Sequence, residues 1–253
     1  MSSRARSTLS VGAAIPALLL LLALPAFASD AAPAAADDQS EQWLLDFTPY
    51  LFLSGVSGSV SAGDFTAPIN SSFSDIVKNL RVGLFMSFSA RKGQWGYLAD
   101  FEYISLEGSG SGRVPANLTM DTLIGEVDLT FGPELAPSLR FLGGLRVFDL
   151  DQTLSIDGDP SLGTSTTVLD PVLGAVGLWQ IDDNWHYEMR GDIGGFGISS
   201  ELTYQLMMEF QWRISDSVGM PFGYRIISYQ IQKDSVRLDT RLAGLFLGVD
   251  IRF

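Results

Sequence analysis

The chain has 253 residues, with 29 acidic side chains against 16 basic ones and no cysteine. A net charge of −13 disfavours nucleic acids and anionic membrane surfaces as partners. Without cysteine, neither a disulfide framework nor a cysteine-linked lipid anchor is possible.

The first 28 residues have the pattern of a secretory signal peptide. Two arginines precede an apolar run over residues 11–24, which is followed by Ala26-Phe27-Ala28. This run is too short, and wrongly flanked, for a permanent membrane helix. We therefore expect cleavage after residue 28 and export of the mature chain. Residues 29–41, rich in Ala, Pro, Asp and Ser, are expected to form a disordered periplasmic lead-in.

The remaining residues, 42–253, show alternation of apolar and polar side chains, which is typical of half-buried strands. The pattern predicts an all-β fold, a transmembrane up-and-down antiparallel barrel of ten strands, with eight or twelve as alternatives. A water-soluble β-sandwich, in which the apolar side chains form the core, is the competing interpretation. The ten predicted strands cover residues 42–54, 81–91, 95–106, 119–131, 139–153, 167–180, 185–198, 202–214, 221–231 and 238–253.

The connections between these strands fall into two classes. Most are short, whereas those at residues 55–80, 107–118 and 154–166 are predicted to be long loops. Bacterial barrels place short turns in the periplasm and long loops outside, so we expect the three long loops at the cell surface.

One segment of the first long loop has helical periodicity. Phe73, Ile76, Val77 and Leu80 form one apolar stripe, and Ser72 can cap the helix. We predict a short helix at about 73–79. It lies either at the mouth or outer interface of the barrel, or inside the lumen as a plug.

The tryptophans provide a separate indication of a membrane protein. When the predicted strands are arranged as a barrel, all five fall at the periplasmic rim, where amphipathic rings are favoured at the level of the lipid headgroups. We expect these residues to form a membrane girdle: Trp43, Trp95, Trp179, Trp185 and Trp212.

Sorting the strands by parity places many charges toward the lumen. One interpretation is a structural network of arginine–carboxylate pairs, because an unpaired charge in a narrow barrel is costly. The other is a thin hydrated path whose fixed charges select small solutes. The residues of this predicted lumen charge network are Asp100, Glu102, Glu126, Asp128, Arg140, Arg146, Glu188, Arg190, Asp192, Glu209, Arg213 and Arg225.

Three features together resemble the small outer-membrane β-barrels of Gram-negative bacteria, the group that includes OmpA-, OmpX- and OmpW-like proteins. They are the signal peptide, Gly223-Tyr224-Arg225, and an ending over residues 247–253 that closes on Phe253. The resemblance implies an outer-membrane location, with Phe253 as the C-terminal assembly signal. It also implies contact with lipid, lipopolysaccharide and the barrel assembly machinery. Ten strands exceed the eight usual in those members.

For function, we expect a monomeric, non-enzymatic barrel without cofactor. It is either a narrow channel for small solutes or a structural barrel with a charge-paired lumen. The alternative is an adhesin or receptor that acts through the outward loops.

An outer-membrane hydrolase is less expected, because the single histidine, His186, falls near the periplasmic rim. Four aspartates around the third long loop match no complete calcium loop, so no metal site is predicted: Asp149, Asp151, Asp157 and Asp159.

Overall fold

The computed structural model describes residues 42–62, 65–111, 115–156, 162–233 and 236–253. The predicted signal peptide and the whole predicted lead-in therefore lie outside the described residues. No helix in the described ranges is long and apolar enough to cross a membrane.

The described residues form twelve strands and one short helix. In chain order they are β1 (Leu44–Ala62), β2 (Phe65–Ser71), α1 (Phe73–Asn79), β3 (Leu80–Lys92), β4 (Trp95–Ser111), β5 (Pro115–Phe131), β6 (Leu139–Ile156), β7 (Leu162–Gln180), β8 (Trp185–Gly194), β9 (Leu202–Arg213), β10 (Val218–Lys233), β11 (Val236–Gly248) and β12 (Asp250–Arg252).

Ten strand positions close into one antiparallel barrel, which confirms the predicted fold class and strand number. From β3 to β11 each strand pairs with the next, and β1 closes the ring against β3 on one side and β11 with β12 on the other. β11 and β12 are one strand interrupted at Val249, opposite Pro49, which has no N–H to donate. β2 pairs with residues 56–62 of β1 and is not one of the ten strands that form the barrel wall.

Side chains alternate between a lipid-facing surface and the lumen, as strand geometry requires. On β9, Met208, Phe210 and Trp212 point outward and are 38–41% exposed, whereas Thr203 and Gln205 point inward and are at most 3% exposed. A soluble sandwich would bury the first set. The apolar outer belt therefore identifies a transmembrane barrel.

All three predicted long loops are wrong, because most of their residues are paired strand: residues 55–62 and 65–71 of the first loop pair as β1 and β2. β4 continues to Ser111 and β5 begins at Pro115, while β6 continues to Ile156 and β7 begins at Leu162. Each predicted strand ended where the alternation of apolar and polar side chains ended. Above the bilayer both strand faces meet water, so Ser, Thr and Asp residues continue the ladder without that signal. We call these paired extensions the outer ribbons.

Helix α1 lies at the rim of the barrel and does not fill the lumen. None of its residues is buried, and Phe73 and Val77 are 38% and 48% exposed. It contacts β1 and β4. Ser72 forms a capping box with Asp75: its side chain accepts from the Asp75 backbone N–H, and the carboxylate accepts from the Ser72 N–H.

Candidate functional site in the barrel lumen

The lumen contains three layers, and the layer nearest the outer ribbons is apolar. Phe148 on β6 and Tyr229 on β10 lie on strands that are not neighbours, yet their ring centroids are 4.6 Å apart. Side chains therefore meet across the lumen at this level. The cluster consists of Ile124, Phe148, Val168, Ile227, Tyr229 and Ile231, none more than 6% exposed.

Beneath it lies a buried ion-pair network that joins β5, β6 and β8. Arg146 Nε lies 2.6 Å from Glu126 Oε2, and its Nη2 lies 2.5 Å from Asp192 Oδ1. Arg190 lies 2.8 Å from Asp128 Oδ2 and 3.1 Å from Asp192 Oδ2, and also contacts Glu126. These five side chains are at most 5% exposed.

A second network crosses the lumen from β10 to β4 and β1. Arg225 Nη1 lies 2.6 Å from Glu102 Oε1 and 3.4 Å from Asp100 Oδ1. The same guanidinium donates to the Tyr50 hydroxyl at 2.7 Å and to Gln205 Oε1 at 2.6 Å. Tyr50 in turn donates to Asp100 at 2.7 Å.

The third layer is a cavity of about 730 Å³ near the short turns, bounded above by Arg190 and Arg225. Its wall carries both positively charged arginines and negatively charged carboxylates. At its base Arg252 pairs with Asp46 at 2.7 Å, and Gln211 donates to Asp250 at 2.7 Å. The arrangement gives a polar chamber at one end of the barrel, with a volume large enough to hold water.

The twelve residues predicted as one lumen network divide between these layers. Eight belong to the two buried networks: Asp100, Glu102, Glu126, Asp128, Arg146, Arg190, Asp192 and Arg225. The other four face the cavity and form no ion pair within the described ranges: Arg140, Glu188, Glu209 and Arg213. Arg140 instead donates to Thr130 and to the Gln94 carbonyl.

Tyr50 and Gln205 also belong to the second network, although the charge-based prediction did not include them. Both are uncharged, so a search for complementary charge passes over them. Their inward position in the strand alternation was the available signal.

The five tryptophans lie at the end of the barrel that carries the short turns. Trp185 stacks on Trp212 with ring centroids 6.3 Å apart, and Trp95 packs against Phe131 at 4.9 Å. Trp43 and Trp179 stack on Tyr97 and Tyr187, respectively.

His186 faces the cavity, and its Nδ1 has no hydrogen-bond partner among the described residues. The part of the chain that the structure describes contains no group of three or more His, Asp or Glu side chains placed to hold a metal ion. Asp149 accepts a hydrogen bond from Thr167. Asp157 and Asp159 lie outside the described residues.

Comparison with solved structures agrees with the barrel geometry. The outer membrane protease OmpT from Escherichia coli superposes with a TM-score of 0.54 at 8% identity, covering 85% of this chain and 98% of that one. The fold is that of an outer-membrane β-barrel.

Two other solved structures superpose with lower TM-scores. Ail, the attachment invasion locus protein of Yersinia pestis, has a TM-score of 0.42 at 13% identity and covers 84% of this chain and 99% of its own. The translocator domain of autotransporter NalP from Neisseria meningitidis has a TM-score of 0.46 at 10% identity, covering 85% and 90%. No protein-family model and no curated protein matches the sequence.

Proposed function

We propose that this outer-membrane barrel is non-enzymatic and structural, with a lumen closed by charge pairing. The observation that carries the proposal is the network of Arg146 and Arg190 with three carboxylates, at 0–5% side-chain exposure. It lies beneath an apolar layer whose side chains meet across the lumen.

An open path for solutes would have to separate these charges. Breaking a buried pair leaves an uncompensated charge, which costs about 3–5 kcal/mol. Both arginines contact more than one carboxylate, so a path wide enough for a hydrated ion requires several such separations. The closed form is therefore favoured over a narrow channel.

The surroundings of His186 support a non-enzymatic role. Histidine-dependent hydrolysis needs a partner that orients the imidazole, and none is hydrogen bonded to Nδ1 in the described ranges. His186 also lies at the short-turn end, away from the outer ribbons.

Single-channel recording tests the closed lumen. Refolded protein, checked for barrel structure by circular dichroism and heat-dependent gel migration, is inserted in planar bilayers in potassium chloride. We expect no discrete conductance steps. Steps that change with Arg190→Gln, but not with the surface control Arg237→Gln, would establish a conducting lumen and reject the proposal.

A second candidate function, surface recognition, is favoured by the length of the outer ribbons. β6 and β7 have 18 and 19 residues, whereas a tilted strand crosses a bilayer with about 9–11. β8 and β9 have only 10 and 12. The barrel therefore presents tall polar ribbons on part of its outer rim, a form suited to contact with another surface.

Shortening one ribbon tests this second function. Leu150 and Thr166 are directly paired, so an Asn-Gly turn can replace residues 151–165 without changing the register below. If the ribbon binds a surface, cells carrying the shortened barrel lose adhesion to immobilised extracellular-matrix proteins while the barrel still folds. Unchanged adhesion would exclude the β6–β7 ribbon from that role.

A further inference from the structure

The wall between β1 and β3 is paired over only part of its height. The ladder runs from Leu44–Arg91 to Pro49–Met86 and then stops. Residues 50–55 of β1 and 80–85 of β3 have no partner across this seam, although both strands remain paired on their other sides. We call the unpaired stretch the window.

The window is enclosed at both ends. Below it the β1–β3 ladder resumes, and above it α1 crosses from β1 to β4. Ser72 lies beside Gly55, and Leu80, just after the helix, pairs with Leu106. Six strand residues span about 20 Å, and seven helical residues span about 10 Å. The unpaired seam thus extends for about 20 Å along the strands and is spanned at its upper end by α1.

The edges of the window are continuous with the lipid-facing belt. Leu51 and Leu53 on β1 are 61% and 38% exposed, and Val82 and Leu84 on β3 are 51% and 46% exposed. The first five residues of β3 are exposed on both faces of the strand. The window therefore opens to the hydrocarbon in the half of the bilayer nearest the outer ribbons.

An aromatic cluster lies directly behind the window. Phe52 is 6% exposed, and its ring centroid is 6.4 Å from that of Phe85 in an edge-to-face arrangement. Tyr50 packs against the same Phe85 ring at 5.7 Å. Phe246 and Leu242 complete the buried part of this cluster. An apolar surface thus runs from the lipid belt through the wall into the lumen.

We propose that the window admits an acyl chain of a membrane phospholipid, which packs against Phe52 and Phe85. The path is continuous with the apolar outer belt of the barrel, and its lining is apolar. An acyl chain suits it better than water, which needs polar partners. A strand from a second copy suits the opening less well, because both ends of the opening are closed.

The polar edges of the window are suited to binding the headgroup of the same phospholipid. Backbone N–H groups that lack a cross-strand partner are costly in hydrocarbon, and ester or phosphate oxygens can accept from them. At the upper edge Lys78 pairs with Asp75 at 3.7 Å and Arg81 with Glu107 at 3.4 Å, so the rim carries balanced charge. The proposal is independent of whether the lumen conducts.

Photocrosslinking tests the proposal in vesicles of dioleoylphosphatidylcholine. p-Benzoylphenylalanine replaces Phe85 in the full-length mature protein, and lipid adducts are measured by mass spectrometry after irradiation. The positive control carries the label at Leu245, which is 60% exposed on the lipid face. The negative control carries it at Phe148, a buried aromatic on β6, away from the window.

We expect an adduct at position 85 within about threefold of that at position 245, and none at position 148. No adduct at 85, with a normal yield at 245, would overturn the proposal. Equal yields at 85 and 148 would overturn it as well, because they would show general entry of lipid into the lumen. A second label at Phe52 gives the same test if the first variant does not fold.

Discussion

Each buried arginine in the lumen serves as a junction between strands that the backbone ladder does not join. Arg190 on β8 contacts two carboxylates on β5, and Arg225 on β10 contacts two on β4. The planar guanidinium has five donors in a fixed arrangement, so one side chain can satisfy several acceptors. Lysine in these positions would not reproduce the geometry.

Replacing Arg146 with methionine should destabilise the barrel strongly. The substitution leaves Glu126 and Asp192 without this cation in a buried layer, so we expect a loss of about 3–5 kcal/mol. The control Arg237→Gln removes an exposed pair with Glu201 and should cost less than about 1 kcal/mol. Urea unfolding in lipid vesicles, followed by tryptophan fluorescence, measures both; equal losses would contradict the assignment.

A matched pair of glycines tests how tightly the lumen side chains pack. A methyl group on Gly144 would collide with the Val127 carbonyl and the Asp128 carboxylate, whereas on Gly191 its nearest neighbour is Leu206 at 4.0 Å. We expect Gly144→Ala to destabilise the protein by about 1–3 kcal/mol in the same unfolding assay. Gly191→Ala should differ little from the wild type. The reverse order would show that the layer around Asp128 is loosely packed.

For single residues, the sequence could predict which face of a strand a side chain lies on, but not which other side chains it contacts. Strand alternation alone places the side chains of Glu126 and Glu209 on the lumen side. It does not give the height of a residue along the barrel axis, which depends on register and strand tilt. Glu126 therefore meets two arginines, while Glu209, which lies opposite Glu188, meets none in the described ranges.

Among the secondary-structure elements, helix α1 depends for its stability on the hydrogen bonds of its first turn. The hydrogen bond from the Ser72 hydroxyl holds the pKa of the Asp75 carboxyl below its ordinary value of 3.8. A lowered pKa stabilises the folded helix above pH 3.8. That contribution is lost as the pH falls through the lower pKa of the folded state.

We therefore expect α1 to lose order under acid conditions before the barrel does. Cα chemical shifts of residues 73–79 in micelles, recorded from pH 6 to pH 2.5, should move toward coil values. Asp75→Asn has no carboxyl to titrate, so its shifts should stay constant over this range. A wild type as insensitive to pH as the variant would remove Asp75 from this role.

The strands show which parts of the fold the alternation pattern can predict and which it cannot. Within the bilayer one face of each strand meets lipid, so alternation marks the strand clearly, as on β9. In the outer ribbons both faces meet water, and Thr153 and Ser165 carry no apolar signal although their strands are paired. Sequence therefore predicts the membrane-spanning core of each strand better than its outer end.

For the molecule as a whole, assembly and folded stability can be separated at the C-terminus. The Phe253 side chain is 72% exposed, while its backbone N–H donates to Leu45 at 2.9 Å. Phe253→Ala should therefore unfold in vesicles nearly as the wild type does, because little buried area is lost.

In cells the same variant should reach the outer membrane in much lower amount, if Phe253 is the signal that the assembly machinery reads. Quantitative blotting of membrane fractions measures this amount, and Val249→Ala serves as a control that keeps the terminal aromatic. Equal amounts of Phe253→Ala and wild type would remove Phe253 as the assembly signal.

The layered lumen also means that the two ends of the molecule experience different solutions. Because bacterial barrels place their short turns in the periplasm, we expect the polar chamber, which lies at the short-turn end, to exchange water and dissolved ions with that compartment. An abrupt change in the growth medium reaches the chamber only after the periplasm itself has changed. The acidic and basic groups of the chamber thus respond to the interior side of the envelope, while the outer ribbons meet the environment directly.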